Sequence, residues 1–325
     1  MVEELQALNE NNTWTIVKLP KGKKVVGSCW VYKTKFHSDG TIERNKARLV
    51  ARGFTQTYEV DYKETFAPVA KMNTMRVLLS VAINNAWPLF QMDVKNAFLH
   101  GDNMSEISAL KQYLNHKFAI KDLGILKYFL GIEIAHSHKG CFLNQRKYVI
   151  DLLREANMAY CEPARTHLNS NLKLQSHGDP IPNIEYYQRL VGKLIYLTIT
   201  RLNIAYAVSL VSQFMHALSM DDMKIVHRVL RYLKGSIGKG ILMRNNNHTH
   251  ISGYIDADWA GNALDRKSIT GFCTFVGGNL VTWKSKKQSV VARSSAEAEY
   301  RAMASTACEL IWLKNLLLDL GFPHQ

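Results

Sequence analysis

The sequence predicts an α+β fold, and three observations carry that prediction. Period-two alternation in Cys29-Trp30-Val31-Tyr32-Lys33-Thr34-Lys35-Phe36 marks a strand near the start. Three successive helical patterns, Glu185 to Thr200, Asn203 to Met215 and Asp221 to Lys234, mark a helical middle. Three strand patterns, Ile251 to Ala257, Thr270 to Val276 and Leu280 to Ser285, then run into one long helical stretch from about Ser295 to Leu320.

Each element has its own signal. After the first strand, Ser38-Asp39-Gly40 reads as a hairpin turn and Thr41 to Arg52 as the return strand. Met75 to Asn84 is apolar at helical spacing. Trp87 to Leu99 reads as a short strand entering a turn or helix, with Asp93 near its middle. Residues 103–122 fit one amphipathic helix, with Ser105 as N-cap and Ile107, Leu110 and Leu114 repeating along one face. Lys127 to Ile134 and Cys141 to Asn144 read as paired strands around His138-Lys139-Gly140, and Tyr148 to Ala156 as a helix. Residues 161–183 hold three of the seven prolines together with Asn, Ser and Gly, which marks a linker. Asp221 reads as the N-cap of the helix that places Val226, Leu230 and Leu233 on one face. Near the end, Gly277-Gly278-Asn279 forms a hairpin turn, Ser294-Ser295-Ala296-Glu297 a capping box, and Gly321 with Pro323 a helix stop.

Composition bounds the function classes. The chain has 325 residues, 47% hydrophobic and 21% charged, which fits globular domains and excludes disordered or collagen-like classes. No apolar run reaches the ~20 residues of a membrane span; the best stretch, Leu194 to Ser212, contains Arg201 and Asn203. The first residues, Met1-Val2-Glu3-Glu4, are acidic and show no secretory signal, so a cytoplasmic or nuclear location is expected. Five scattered cysteines without a C-x-x-C pair point to free thiols rather than a disulfide framework or zinc site.

Lys plus Arg is 41 against 27 for Asp plus Glu, giving a net +14 and pointing to a polyanionic partner. Lys18 to Arg52 alone carries ten basic and two acidic residues, among them Lys46, Arg48 and Arg52. Two such strands side by side could line phosphates, and a solvated sheet face would show the same pattern. A second cluster, Lys284, Lys286, Lys287 and Arg293, has no acid among its members. Beside it, Asp256 ends the first of the late strands and Glu299 lies in the first turns of the long helix. Carboxylates converging from a strand end and a helix can share a divalent cation for phosphodiester hydrolysis, and hard oxygens suit Mg²⁺. The alternative is that Asp256 and Asp258 are turn residues, and that Glu297 and Glu299 are acids favoured by the helix dipole.

Longer motifs favour the first reading. Gly253-Tyr254-Ile255-Asp256-Ala257-Asp258-Trp259-Ala260-Gly261 closely resembles the ribonuclease H segment of copia-type LTR-retrotransposon Pol polyproteins. So do Asp265-Arg266-Lys267-Ser268, Val281-Thr282-Trp283-Lys284-Ser285-Lys286-Lys287-Gln288 and Ser294-Ser295-Ala296-Glu297-Ala298-Glu299-Tyr300. Asn45-Lys46-Ala47-Arg48-Leu49-Val50-Ala51-Arg52-Gly53-Phe54 and Glu64-Thr65-Phe66-Ala67-Pro68-Val69 resemble the reverse-transcriptase fingers of that family. Gln91-Met92-Asp93-Val94-Lys95-Asn96-Ala97-Phe98-Leu99 resembles its first palm motif, and Leu126-Lys127-Tyr128-Phe129-Leu130-Gly131-Ile132-Glu133-Ile134 the strands after its catalytic turn. The stretch from Tyr187 to Leu197 is similar to its connecting region.

The resemblance implies fingers and the start of a palm over 1–102, a remnant of palm end and thumb start over 103–160, a helical connecting region over 161–248 and an incomplete ribonuclease H-like α/β domain over 249–325. It implies Mg²⁺ held at Asp93 in the palm and at Asp256 and Glu299 in the last domain. It also implies RNA, DNA and RNA–DNA hybrid as partners, bound through phosphates by Lys46, Arg48, Arg52, Lys284, Lys286 and Lys287. Two departures stand out. The Tyr-x-Asp-Asp turn that would add two acids to Asp93 is missing, which implies an internal deletion between about Gly101 and Met104. The third and fourth ribonuclease H acids would lie past Gln325, which implies a C-terminal truncation. The only Asp-Asp pair, Asp221-Asp222, sits between helical patterns and does not substitute for the turn. Arg201-Leu202-Asn203 stands where the family usually has Arg-Pro-Asp. The expectation is a degenerate fragment whose RNA-directed DNA synthesis and hybrid hydrolysis are lost, or a residual sequence-independent nucleic-acid-binding module.

Overall fold

The computed structural model describes residues 5–6, 18–19, 25, 27–36, 41–51, 71–94, 120–169, 181–213, 220–262 and 265–322. Two compact units divide the chain, residues 1–69 and 70–325. Together they hold α-helices and several antiparallel sheets, an α+β fold as expected.

The first unit contains the antiparallel pair β1 (Ser28–Phe36) and β2 (Ile42–Ala51), with a bulge between Lys35 and Phe36. None of the residues whose burial is described there is fully buried. Its predicted turn, Ser38-Asp39-Gly40, lies outside the described residues.

The second unit is built around three apolar clusters. In the first, α2 (Arg146–Glu155), α3 (Ile184–Leu197), α4 (Ala205–Ser212) and α5 (Met220–Lys234) bury Leu152, Leu153, Tyr187, Leu190, Leu194, Val226, Leu230 and Leu233. Tyr187, Leu190 and Leu194, and again Val226, Leu230 and Leu233, recur three or four apart, so α3 and α5 each turn one stripe to a common centre. Tyr187 closes its hydroxyl onto the Val211 carbonyl at 2.9 Å, and burial pushes the phenol well above its ordinary range. The helix of α5 begins one residue before Asp221, so Asp221 lies inside the first turn instead of capping it. There its carboxylate pairs with Lys224 at 2.7 Å.

The second cluster covers a four-stranded antiparallel sheet in the order β5 (Tyr128–Phe129), β6 (Ile132–Ser137), β7 (Gly140–Asn144) and β8 (Gly240–Met243). The expected strand over 127–134 is broken at Leu130-Gly131, both at positive φ, which turns the chain into a tight hairpin. The four-residue strand β8 has too little pattern to read from sequence. Gly140, at φ +126, lets β7 approach β8, because any side chain there would collide with the Met243 carbonyl.

Strands β3 (Phe90–Val94) and β4 (Ile120–Ile125) form a separate antiparallel pair. Residues 120–122, expected at the end of an amphipathic helix, are therefore strand. Pairing with β3 satisfies their backbone groups and overrides the local periodicity. The rest of that expected helix lies outside the described residues.

The third cluster joins α1 (Met72–Asn84) to a three-stranded sheet and to α6 (Ser295–Asp319). The sheet runs in the order β11 (Asn279–Lys287), β10 (Ile269–Val276), β9 (Ile251–Asp258). Val77 and Val81 of α1 meet Val276, Val281, Leu313 and Leu317 there. Polar bonds pin the same contact. Ser80 donates to the Val276 carbonyl, Asn84 to the Gly277 carbonyl, and Asn279 to the Ser80 hydroxyl. Arg76 is buried, bonds the carbonyls of Val281 and Ile199, and stacks 3.9 Å over the Trp283 ring. Burial lowers its pKa to about 10, partly offset by Glu309, so it stays charged at neutral pH.

Residues 161–169, expected to be linker, lie against α5. The Ala164 N–H bonds the Arg231 carbonyl, Arg231 bonds the Glu162 carbonyl, and Arg228 reaches Thr166. Residues 170–180 lie outside the described residues. No helix among the described residues is long and apolar enough to cross a membrane.

Candidate functional site

Of the acids expected to act together in the C-terminal sheet, Glu299 bonds the backbone next to Asp256. Asp256 is exposed near the end of β9. Helix α6 starts at Ser295 because the Ser294 hydroxyl caps it, accepting the Glu297 N–H at 3.1 Å. Glu297 reaches back past the cap to the Arg293 N–H at 2.8 Å, one residue before the N–H that the expected capping box would use, and this bond, aided by Arg301, holds its carboxyl below the ordinary range. That start fixes Glu299 in the second turn, where its Oε1 accepts the Ala257 N–H at 3.2 Å. The Glu299 carboxylate is therefore anchored beside the residue that follows Asp256. Its Oε1 is engaged by that backbone N–H. No group of three His, Cys, Asp or Glu side chains able to hold a metal occurs among the described residues. Two carboxylates with phosphate oxygens from a substrate still match the way Mg²⁺ is commonly held.

The second basic cluster divides. Lys284 and Lys286 lie two apart on β11 and are exposed. Lys287 points the other way and pairs with Asp265 at 2.9 Å. Burial alone would raise the Asp265 carboxyl. Hydrogen bonds from Lys287 and the Lys267 N–H, with the charges of both lysines, hold it below the ordinary carboxylate range. Lys287 is thus neutralised within the chain, and the resemblance to a phosphate-binding run is structurally uneven.

In the first unit the register of β1 and β2 supplies what sequence reading missed. Lys33 lies directly across from Lys46, Lys35 from Arg44 and Val31 from Arg48. Alternation therefore sets positions 33, 35, 44, 46 and 48 on one face of the hairpin. Lys35 across from Arg44 sets like charges directly opposite, which is unfavourable. Arg52 lies outside the described residues. Asp93 is in β3, across from Lys121, and only the backbone of this pair is described.

Comparisons with known proteins agree with the motifs. A family profile described as Reverse transcriptase (RNA-dependent DNA polymerase) matches residues 11–107 and 101–170. The Retrovirus-related Pol polyprotein from transposon RE2 of Arabidopsis thaliana is 34% identical over 99% of this chain and 28% of its own length. The Retrovirus-related Pol polyprotein from transposon TNT 1-94 of Nicotiana tabacum is 31% identical over 100% of this chain and 32% of its own length. The chain belongs to the copia-type retrotransposon Pol family. It is also 42% identical to the Uncharacterized mitochondrial protein AtMg00810 of Arabidopsis thaliana, over 67% of this chain and 91% of that protein. The chain spans less than a third of the length of the two polyproteins. The alignment with the RE2 polyprotein runs over 408 positions, more than the 325 residues here, so it opens gaps in this chain. No solved structure matches it.

Proposed function

We propose that this chain is a degenerate reverse transcriptase and ribonuclease H fragment, with fingers and the start of a palm before residue 102 and a ribonuclease H-like sheet in β9–β11 and α6. The observation that carries the proposal is the broken profile match, which stops at 107 and restarts at 101. That join falls where the sequence loses the block that would bring two further acids to Asp93. A polymerase palm needs three carboxylates to place its metal ions, and flanking residues rarely replace two of them. RNA-directed DNA synthesis is therefore lost.

In the last domain Asp256 and Glu299 are the residues that would hold Mg²⁺, anchored as the Ala257 bond describes. Bound there, the ion would polarise phosphate oxygens and activate water for hydrolysis. Lys284 and Lys286 would meet the phosphates of an RNA–DNA hybrid.

A second reading rests on the register of β1 and β2. A face crowded with like charges is relieved by a polyanion, which favours residual binding of RNA, DNA or hybrid through phosphates without sequence preference. Primer extension on a primed RNA template with Mg²⁺ tests the first proposal, using the wild-type chain and Asp93→Asn. No product is expected from either; extension that Asp93→Asn abolishes would overturn it. For the second, hybrid affinity is expected to fall steeply as salt rises, and a salt-independent affinity would rule it out.

A further inference from the structure

The sheet β5–β8 carries a row of three side chains that the catalytic residues do not involve. His136 of β6 lies directly across from Cys141 of β7, and Cys141 lies directly across from Met243 of β8. Opposed residues share a face of a sheet, so all three stand with Ile134, Leu143 and Ile241 on the face turned to the second cluster. Cys141 is 6% exposed and Met243 is fully buried, whereas His136 is exposed at the rim. The His136 Nε2 meets the Leu126 carbonyl at 2.7 Å. A carbonyl only accepts, so Nε2 carries the ring proton and Nδ1 keeps its lone pair. That lone pair faces the Cys141 Sγ at 3.2 Å and accepts the thiol proton. Burial pushes the thiol up, which keeps that proton on sulfur.

We propose that His136, Cys141 and Met243 bind one soft monovalent cation, Cu(I), in place of the thiol proton. The ion bonds the sulfur and Nδ1, and the displaced proton leaves to water. Metal-binding imidazoles donate their second ring N–H to a carbonyl or carboxylate, as His136 already does to Leu126. The spacing also fits. With bonds of about 2.3 Å to sulfur and about 2.0 Å to nitrogen, an ion between atoms 3.2 Å apart subtends about 96°, so the pair closes on it with little movement. The Cβ atoms of Cys141 and Met243, as opposed residues, are about 4.5–5.5 Å apart, within reach of a flexible thioether. That third donor selects the ion. Among the described residues no third His, Cys, Asp or Glu joins the pair, as zinc would require, and a thioether beside a thiolate suits Cu(I). The exposed His136 gives the ion its way in from solvent.

Anaerobic titration of the full chain with Cu(I), in competition with a chromophoric Cu(I) chelator, tests the proposal. The wild type is expected to hold one equivalent against the chelator and to unfold at a higher temperature when loaded. His136→Gln and Cys141→Ser each remove a donor and should weaken binding by about tenfold or more. Met243→Leu keeps the core volume and should weaken it by a few-fold. X-ray absorption of the loaded wild type should show nitrogen and sulfur together around copper, which the other four cysteines acting alone would not give. If Cys141→Ser fails to fold, His136→Gln, at an exposed position, decides. A wild type that yields all its copper to the chelator overturns the proposal. So does copper held at full affinity by His136→Gln, a shell of sulfur alone, or Zn(II) bound more tightly than Cu(I).

Discussion

The chain holds two basic antiparallel hairpins that look alike in sequence and are stabilised differently. In β1–β2 the register sets Lys33 against Lys46 and Lys35 against Arg44, and no residue whose burial is described there is fully buried. In β10–β11 one face is buried under α6 and α1, with Val276, Val281 and the bonded Thr274–Thr282 hydroxyls inside. Its Lys287 is paired with Asp265. The difference teaches that a run of lysines on a strand has no fixed meaning. Where a core holds the hairpin, the charges are tolerated or paired; where none does, they remain a surface with a demand for anions.

The sharpest break in the comparison is a matched pair of truncations. Phe272→Ala in β10, where the ring is 8% exposed, should destabilise the second unit by about 3–5 kcal/mol in urea unfolding. Tyr32→Ala in β1, where the ring is 65% exposed, should cost less than about 0.5 kcal/mol. Equal costs would erase the distinction. Next in size, Ser294→Ala removes the cap that sets the start of α6 and should cost about 1 kcal/mol. It should also raise hydrogen exchange at Ala257, because Glu299 loses its fixed position.

A smaller effect sharpens the comparison from the charged side. Lys46→Gln should weaken hybrid binding a few-fold and flatten the logarithmic salt dependence by about 0.9, one phosphate contact. The smallest concerns Asp265. Its folded pKa is depressed, so its contribution to stability is present above the unfolded value and fades as pH falls through the folded one. The pair is more than a third exposed on the Asp265 side, so Asp265→Asn should cost at most about 0.5 kcal/mol at neutral pH. The cost should vanish in acid, as pH-dependent thermal unfolding would show.

Much of the chain was legible in sequence because its signals are local. The helices of the first cluster repeat apolar residues at helical spacing, and the boundaries of β9, β10 and α6 fall within a residue or two of expectation. The cap at Ser294 was legible for the same reason. Residues 120–122 were not, because their helical periodicity yielded to pairing with β3, a partner distant in the chain. Residues 161–169 are irregular, as a linker would be, but nothing in their prolines announces the bonds to α5. The basic residues of the first hairpin were visible singly, whereas their gathering on one face needed the register.

The sequence by itself determined the family and most of the element types, since motifs and periodicity are written in neighbouring residues. Only the tertiary structure decided that Glu299 anchors on Ala257, that Lys287 is already neutralised, and that α1 is built into the C-terminal sheet through Ser80, Asn84 and Arg76. Those outcomes join groups far apart in the chain. Their free energy comes from burial and from satisfying buried polar groups, and neither exists until the chain has closed on itself.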